Sequence, residues 1–194
     1  MRYDSEHKQR TRERVVAAAA KAVRLHGPDN IGIAALMSQA GLTHGGFYAH
    51  FGSKDELIQE AITLMFEESA STLEECLEGL SADAGLAALI DRYLSREHLE
   101  QRDAGCPMAA LASDLPRMSS PVREAFEQGV KKALEVLAAL LQEVGYEQPR
   151  ELARSVQMEM VGALTLARAV PNPSFAMKVL ESSRAQIRAR LQLH

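Results

Sequence analysis

Residues 31–57 read IGIAALMSQAGLTHGGFYAHFGSKDEL, and their pattern predicts a helix, a turn and a second short helix. Apolar side chains recur at helical spacing over residues 33–40, and Gly41 follows them, the residue type that most readily adopts the left-handed conformation at a helix end. We expect the second helix over residues 43–51, with the Thr43 hydroxyl as its N-cap. Two short helices joined by a tight glycine turn form a helix-turn-helix unit.

The second helix of this unit is expected to be exposed, because Phe47 and Phe51 are its main apolar side chains. In a helix-turn-helix the second helix enters the DNA major groove, and polar side chains near its ends hold the phosphates. Gly45 and Gly46 lack side chains and would let the backbone approach the DNA closely. The pattern therefore predicts a DNA-contacting surface.

Charge is distributed unevenly along the chain. The whole sequence has a net charge of −4, yet residues 1–54 carry eight Lys and Arg against four Asp and Glu, a balance of +4 that leaves −8 for the remainder. This asymmetry suggests a basic contact region on an acidic body. The alternative is that the basic residues form an ordinary solvated helix face.

Apolar residues have helical spacing along almost the whole chain, and no strand-like alternation is convincing, so the sequence predicts an all-α protein. We expect about nine helices, at residues 5–26, 33–40, 43–51, from 53 onward, 83–100, 106–115, 121–144, 149–169 and 174–192. Ser53 and Glu56 form a capping box at the start of the fourth helix. No flexible linker follows it, and the expected domains are residues 1–54 for DNA binding and 55–194 for ligand binding and dimerisation.

Several classes of protein are disfavoured by composition. The longest apolar runs, such as residues 15–20, have six residues and are too short for a membrane span, and the polar N-terminus has no signal-peptide core, so we expect a cytoplasmic location. Two cysteines in a reducing compartment are expected to be thiols. His44 and His50 match no common zinc spacing, so no metal site is expected.

These motifs resemble those of the tetracycline-repressor (TetR) family of bacterial regulators. The matching residues are Leu25-His26-Gly27, Ile33-Ala34-Ala35, Ala40-Gly41-Leu42-Thr43 and the block Gly46 to Leu57. The resemblance implies a homodimeric repressor that binds a palindromic operator in double-stranded DNA and is released when a small molecule enters a pocket in the larger domain. It implies no cofactor and no enzymatic activity.

The same resemblance assigns roles to residues of the helix-turn-helix. The residues matched to base-reading positions are His44, Gly45 and Gly46. The residues matched to phosphate-holding positions are Thr43, Tyr48, His50 and Lys54. Two glycines leave few side chains for direct readout, so specificity is expected to depend on His44, on Gln39 of the preceding helix and on DNA shape.

Cys106 precedes Pro107, a residue type suited to the first position of a helix, and is therefore predicted to be an N-cap. The positive end of the helix dipole stabilises a thiolate there, and some members of the family sense electrophiles or oxidants through a cysteine in a similar run. Against this, a lone cysteine is usually a small buried hydrophobe, and Asp103 is a negative neighbour. A helical thiol enzyme of peroxidase type using Cys106 is the alternative function.

The ligand pocket is expected within the larger domain. Its candidate lining residues are Met65, Phe66, Tyr93, Met108 and Phe126, together with Cys106. Each of them suits ordinary core packing equally well. The last two helices, rich in small and aliphatic residues, suit pairing across a two-fold axis or packing within one subunit.

Overall fold

The computed structural model describes residues 2–193, and within them the side chains of residues 2–5 and of His44 are not described. The described chain is entirely helical, which confirms the predicted fold class and the count of nine α-helices. The helices are α1 (Arg2–His26), α2 (Ile33–Gln39), α3 (Lys54–Leu77), α4 (Ala82–Tyr93), α5 (Arg96–Glu100), α6 (Pro107–Leu111), α7 (Ser120–Val144), α8 (Pro149–Ala169) and α9 (Pro173–Arg190). Two 3-10 helices, His44–Ala49 and Leu115–Arg117, complete the described elements.

The segment predicted as one helix over residues 83–100 is two helices, α4 and α5. Leu94 leaves the helical conformation, and the Ser95 hydroxyl accepts a hydrogen bond from the backbone N–H of His98, at 3.1 Å, which starts α5. The helical spacing of apolar residues continues across this break, which is why the pattern alone misses it.

The predicted second helix of the helix-turn-helix is a 3-10 helix and not an α-helix. Thr43 occupies its N-cap position, but the Thr43 hydroxyl makes no capping hydrogen bond, contrary to expectation. The backbone carbonyl of Thr43 instead accepts from the Gly46 N–H at 3.0 Å, the short-range bonding of a 3-10 turn.

The capping box at the start of α3 is confirmed with one difference. The Ser53 hydroxyl accepts from the Glu56 N–H at 3.1 Å, while the Glu56 carboxylate accepts from the N–H of Gly52, one residue earlier than expected, at 2.7 Å. The bond to Gly52 joins the loop after the 3-10 helix to the long helix and fixes the angle between them.

The core is continuous along α3, the helix that both halves of the chain share. The N-terminal part of α3 buries Leu57, Ile58 and Ala61 against α1, and its middle buries Ile62 and Met65. Further along, α3 packs on α7, which packs on α8, and α8 packs on α9. None of the described helices is long and apolar enough to span a bilayer.

Candidate DNA-binding surface and ligand cavity

The turn between α2 and the 3-10 helix depends on Gly41, whose φ of +72° lies in the left-handed region. The Leu42 N–H donates to the carbonyl of Met37 at 2.8 Å, which ends α2. The Arg14 guanidinium of α1 donates to the Ala40 carbonyl at 2.6 Å and holds the end of α2 against α1.

Aromatic side chains anchor the 3-10 helix from beneath. Phe47 and Phe51 are 0% and 1% exposed, and their rings stack with centroids 5.4 Å apart. The Arg12 guanidinium carbon lies 4.4 Å from the centroid of the Phe51 ring. Tyr48, between the two phenylalanines in sequence, is 70% exposed. The 3-10 helix therefore buries the side that carries its phenylalanines and exposes the side that carries Tyr48.

The first residues of this helix are open. Thr43 and Gly45 are exposed, and a Cβ added to Gly45 would meet no atom within 4 Å, so the space beside it is free for a partner. Gly46 is half-buried, with the Thr43 hydroxyl 3.7 Å from an added Cβ. The backbone of His44 belongs to the helix, while the base-reading role assigned to its side chain lies outside the described residues.

His50 is the C-cap of the 3-10 helix and Lys54 is the first residue of α3, and both already have neighbours. Burial, followed by the positive charges of Lys8, Arg12 and His7, lowers the pKa of His50, and its Nδ1 is buried with no hydrogen-bond partner in the described structure. The Lys54 ammonium donates to the carbonyl of Asp29 at 3.1 Å. His50 is therefore neutral near pH 7 in the absence of DNA.

Three of the basic N-terminal residues, Arg12, Arg14 and Arg24, bind other parts of the chain. Arg12 donates to the carbonyl of His50 and to the carboxylates of Glu56 and Glu60 on α3. Burial acts to lower the pKa of Arg12, but the two carboxylates outweigh it and raise that pKa. Arg14 holds α2 as described above, and Arg24 is buried. The positive charge of residues 1–54 is therefore only partly available to a partner. The sequence had suggested a basic contact region or a solvated helix face, and neither includes these contacts within the protein.

Arg24, on α1, is the most enclosed cation among the described side chains. Its side chain is 1% exposed and donates to the carbonyls of Gly105 at 3.1 Å, Met65 at 3.1 Å and Asp103 at 3.4 Å. The guanidinium also pairs with the half-exposed Glu68 at 2.8 Å. One side chain therefore joins α1 to α3 and to the loop that precedes α6.

A cavity of about 870 Å³ lies among α3, α4, α7 and α8, closed on one side by the loop before α6. Four of the residues predicted to line a ligand pocket do line it: Phe66, Tyr93, Cys106 and Met108. The other two do not. Met65 is fully buried in the core and receives Arg24 on its carbonyl, and Phe126 packs edge-on against Phe66 with ring centroids 5.6 Å apart.

Cys106 is the N-cap of α6, as predicted, and Pro107 is the first residue of that helix. The thiol residue is 8% exposed and borders the cavity. The Cys106 N–H donates to Nε2 of His98 at 3.0 Å, so the ring proton of this histidine is on Nδ1, which donates to the Tyr93 carbonyl at 2.8 Å. Burial lowers the pKa of His98 to about 4.

Arg168, on α8, contacts the part of the cavity wall that contains His98. Its guanidinium donates to the carbonyl of His98 at 2.6 Å, and its Nε is buried with no partner in the described structure. A Cβ added to Gly105 would lie 2.8 Å from the backbone carbonyl oxygen of Gln101 and 2.4 Å from the Arg168 guanidinium nitrogen, so a larger residue would require the backbone of this loop to shift.

Gly129 and Gln157 shape the cavity wall and were not among the residues predicted from the sequence. Gly129 accommodates the Phe66 ring, whose nearest carbon would lie 2.1 Å from an added Cβ. Gln157 is a polar residue, 6% exposed, within the apolar stripe of α8. The sequence did contain a signal for Gln157. It lies four residues after Ala153 and three before Met160, and this spacing places it on the buried face of the helix. Within residues 2–193, no three His, Cys, Asp or Glu side chains gather as a metal site.

This combination of an outward-facing helix-turn-helix and a helical domain with a cavity defines a class of DNA-binding regulators. The model of the tetR family of bacterial regulatory proteins matches residues 15–61, and that of the C-terminal domain of LmrA/YxaF-like transcriptional regulators matches residues 82–175. The chain belongs to the TetR family of bacterial transcriptional regulators, and it is a DNA-binding regulator.

Individual relatives agree with this assignment. The HTH-type transcriptional regulator LmrA of Bacillus subtilis is 26% identical over 166 residues, covering 84% of this chain and 88% of LmrA. An uncharacterised HTH-type regulator of Mycobacterium tuberculosis is 36% identical over 107 residues, 54% of this chain and 53% of the relative. The crystal structure of a TetR regulator from Chloroflexus aurantiacus superposes with a TM-score of 0.82 at 25% identity and covers 96% of each chain.

Proposed function

We propose that this regulator is a repressor that binds a palindromic operator as a homodimer and leaves it when a small molecule fills the cavity. The observation that carries the proposal is the anchored 3-10 helix, which buries Phe47 and Phe51 and leaves Tyr48 70% exposed. The Tyr48 ring packs edge-on against Phe47, with ring centroids 5.2 Å apart, and an exposed phenol beside an anchored ring is well suited to a phosphate contact. On this proposal residues 1–54 bind DNA and residues 55–194 bind the effector and the second subunit.

The proposed DNA contacts differ in kind. Thr43, Tyr48, His50 and Lys54 hold phosphates, and His44 reads a base edge while Gly45 and Gly46 admit the DNA backbone. The open space beside Gly45 supports the last of these roles. Because phosphate contacts are independent of sequence and release counterions, their loss weakens binding to every DNA and lowers its salt dependence.

Titration of labelled operator and random DNA at several salt concentrations tests the interface. Tyr48→Phe should weaken both complexes equally, and Lys54→Ala should lower the salt slope by about 1 per subunit, whereas Lys131→Ala on α7 serves as a matched control without effect. His44→Ala should reduce discrimination between the two DNAs by about 1–3 kcal/mol. Equal losses on both DNAs would remove His44 from base reading, and an unchanged salt slope in Lys54→Ala would remove that phosphate contact.

The outer face of α8 and α9 supports the proposed homodimer. Met158 and Leu166 of α8 are 49% and 50% exposed, and Phe175 of α9 is 50% exposed. Gly162 lies between Met158 and Leu166 in sequence, and an added Cβ there would meet nothing within 4 Å, so a second helix can approach closely. Two such subunits would present their 3-10 helices to successive major grooves, about 34–36 Å apart.

Analytical ultracentrifugation tests the dimer. Leu166→Glu should shift the protein toward monomer because it would bury a carboxylate at the interface. Leu80→Glu is the matched control, since Leu80 is 45% exposed and belongs to the turn after α3 and not to α8 or α9. A wild-type monomer at micromolar concentration that binds operator tightly would contradict the proposal.

Covalent modification of Cys106 is a second route of release, favoured by the position of this residue in the cavity wall. A quinone that enters the cavity would add the Cys106 sulfur: the S–C bond forms as a ring C=C π bond breaks, and the electron pair and the thiol proton pass to the quinone oxygen, giving a thioether-linked hydroquinone. This adduct would change the wall as a bound ligand does. Quinone treatment should then release operator from the wild-type protein, and Cys106→Ser should remain bound. Equal release from both would mean that the signal is bound without covalent chemistry.

A further inference from the structure

The inner wall of the cavity contains a buried amide without a partner. Gln157 of α8 is 6% exposed, borders the cavity and makes no hydrogen bond to any described residue. The atoms of this amide are not fully enclosed by protein, so the amide faces the cavity and its donor and acceptor are open to whatever occupies that space. A methionine at this position would continue the apolar stripe of α8 at similar volume, so the glutamine is best explained by a group that is not part of the chain.

A second polar group borders the same cavity. The hydroxyl oxygen of Tyr93, at the end of α4, is buried beside the Cys106 thiol, a weak hydrogen-bond partner, and has no nitrogen or oxygen partner in the described structure. Burial, and then the neighbouring Cys106 thiol, raise the pKa of Tyr93 well above its ordinary value. The phenol is therefore protonated and available as a hydrogen-bond donor.

The wall around these two groups offers no free charge. Both ring nitrogens of His98 are occupied by backbone groups, and the guanidinium of Arg168 lies behind the wall and not on the cavity surface. The exposed rim carries four carboxylates against two cations: Glu67, Glu74, Glu97 and Glu124, and Arg92 and Lys132. An anionic ligand would be repelled at the rim and left unpaired inside.

We propose that Gln157 and Tyr93 recognise the hydroxyl or carbonyl oxygen of an uncharged, largely apolar molecule. The Phe66 ring, accommodated by Gly129, supplies an apolar surface for the remainder of that molecule. The amide accepts from a hydroxyl or donates to a carbonyl, and the phenol donates to either. This inference rests on the proposed function of the cavity as the effector site and adds the chemistry of the effector.

Three probes of equal ring size separate the contributions on the full-length protein: 2-naphthol, naphthalene and 2-naphthoate. The wild-type protein should bind 2-naphthol about 3- to 10-fold more tightly than naphthalene, the effect of one well-made hydrogen bond, and 2-naphthoate least tightly. Calorimetry or the intrinsic fluorescence of naphthol gives the affinities, and operator release is measured in parallel.

Substitutions that preserve shape then identify the groups. Gln157→Met and Tyr93→Phe should each reduce the preference for 2-naphthol over naphthalene while leaving naphthalene binding unchanged. Gln128→Met, at an exposed position bordering the cavity on α7, is the matched control and should keep the preference. Gln157→Leu gives the same measurement of the preference if the methionine variant folds poorly.

The outcomes distinguish this inference from the proposed function. Equal affinity for 2-naphthol and naphthalene, a preference for 2-naphthoate, or a preference that survives both substitutions would overturn the recognition by Gln157 and Tyr93 and leave the effector role standing. Tight binding without operator release would support the recognition and contradict the effector role. Failure of all three probes to bind would overturn both.

Discussion

His98 shows how one buried side chain makes the stability of this protein depend on pH. Its pKa is lowered to about 4 by burial, whereas the unfolded chain has a histidine pKa near 6.5. Below about pH 6.5 the unfolded state therefore binds a proton that the folded state does not, and stability is lost progressively as the pH falls toward 4. We expect His98 alone to lower the free energy of unfolding by about 3 kcal/mol between pH 7 and pH 4.

Urea unfolding of the wild type and of His98→Asn at pH 7, 5.5 and 4.5 measures this effect. The asparagine amide can still donate to the Tyr93 carbonyl but does not titrate near these values. The variant should be less stable at pH 7, and its deficit should shrink as the pH falls. A deficit that is constant over the whole pH range would show that His98 titrates normally in the folded protein.

At the scale of the element, the structural features that the sequence predicts correctly depend on local interactions. Gly41 and the Ser53 cap act within four residues, and both are as expected because their chemistry needs no distant partner. The break between α4 and α5 was missed because apolar spacing continues across it. Gln157 was missed for a different reason: an isolated polar residue in an apolar stripe is visible in the sequence, but the cavity beside it depends on the packing of four helices.

The contact between α3 and α7 depends on the absence of a side chain at Gly129. An added Cβ would lie 2.1 Å from the Phe66 ring, so Gly129→Ala forces the ring to move or the helices to separate. We expect a loss of about 1–3 kcal/mol in the free energy of unfolding, in spite of the higher helix propensity of alanine. Phe66→Leu in the same chain should recover part of this loss. Additive effects of the two changes in chemical denaturation would contradict the predicted overlap.

At the scale of the whole molecule, the ties between the two halves of the chain could not be predicted. Arg24 and its partners are separated by 41 to 81 residues, and Arg12 reaches 48 residues to Glu60. In the sequence these arginines belong to a basic segment and look like candidates for DNA contact. Only the packing of α1 against α3 shows that their charges are directed inward.

Arg24 should make the two halves unfold together. Arg24→Met leaves the carbonyls of Gly105 and Asp103 without their side-chain donor, while the Met65 carbonyl keeps the Ser69 hydroxyl at 2.9 Å, and should lower the free energy of unfolding by about 2–3 kcal/mol. Calorimetry should give one transition for the wild type and a broader or divided one for the variant, because the tie between α1 and the loop before α6 is lost. Arg117→Met, which removes an exposed cation paired with Asp114, is the control and should leave both properties unchanged. A single sharp transition in Arg24→Met would show that other contacts are sufficient.

The position of Arg24 also has a consequence for the proposed competition between operator DNA and effector. The Arg24 guanidinium donates to the carbonyls of Asp103 and Gly105. Ala104 and Cys106 of the same loop border the cavity. The backbone of Arg24 belongs to α1, the helix that also contacts the 3-10 helix through Arg12. If a molecule in the cavity lowers operator affinity by some factor, operator must lower the affinity for that molecule by the same factor. An occupied operator then acts as an antagonist of the signal, and regulator bound to DNA would respond at higher concentrations of that molecule than regulator free in solution.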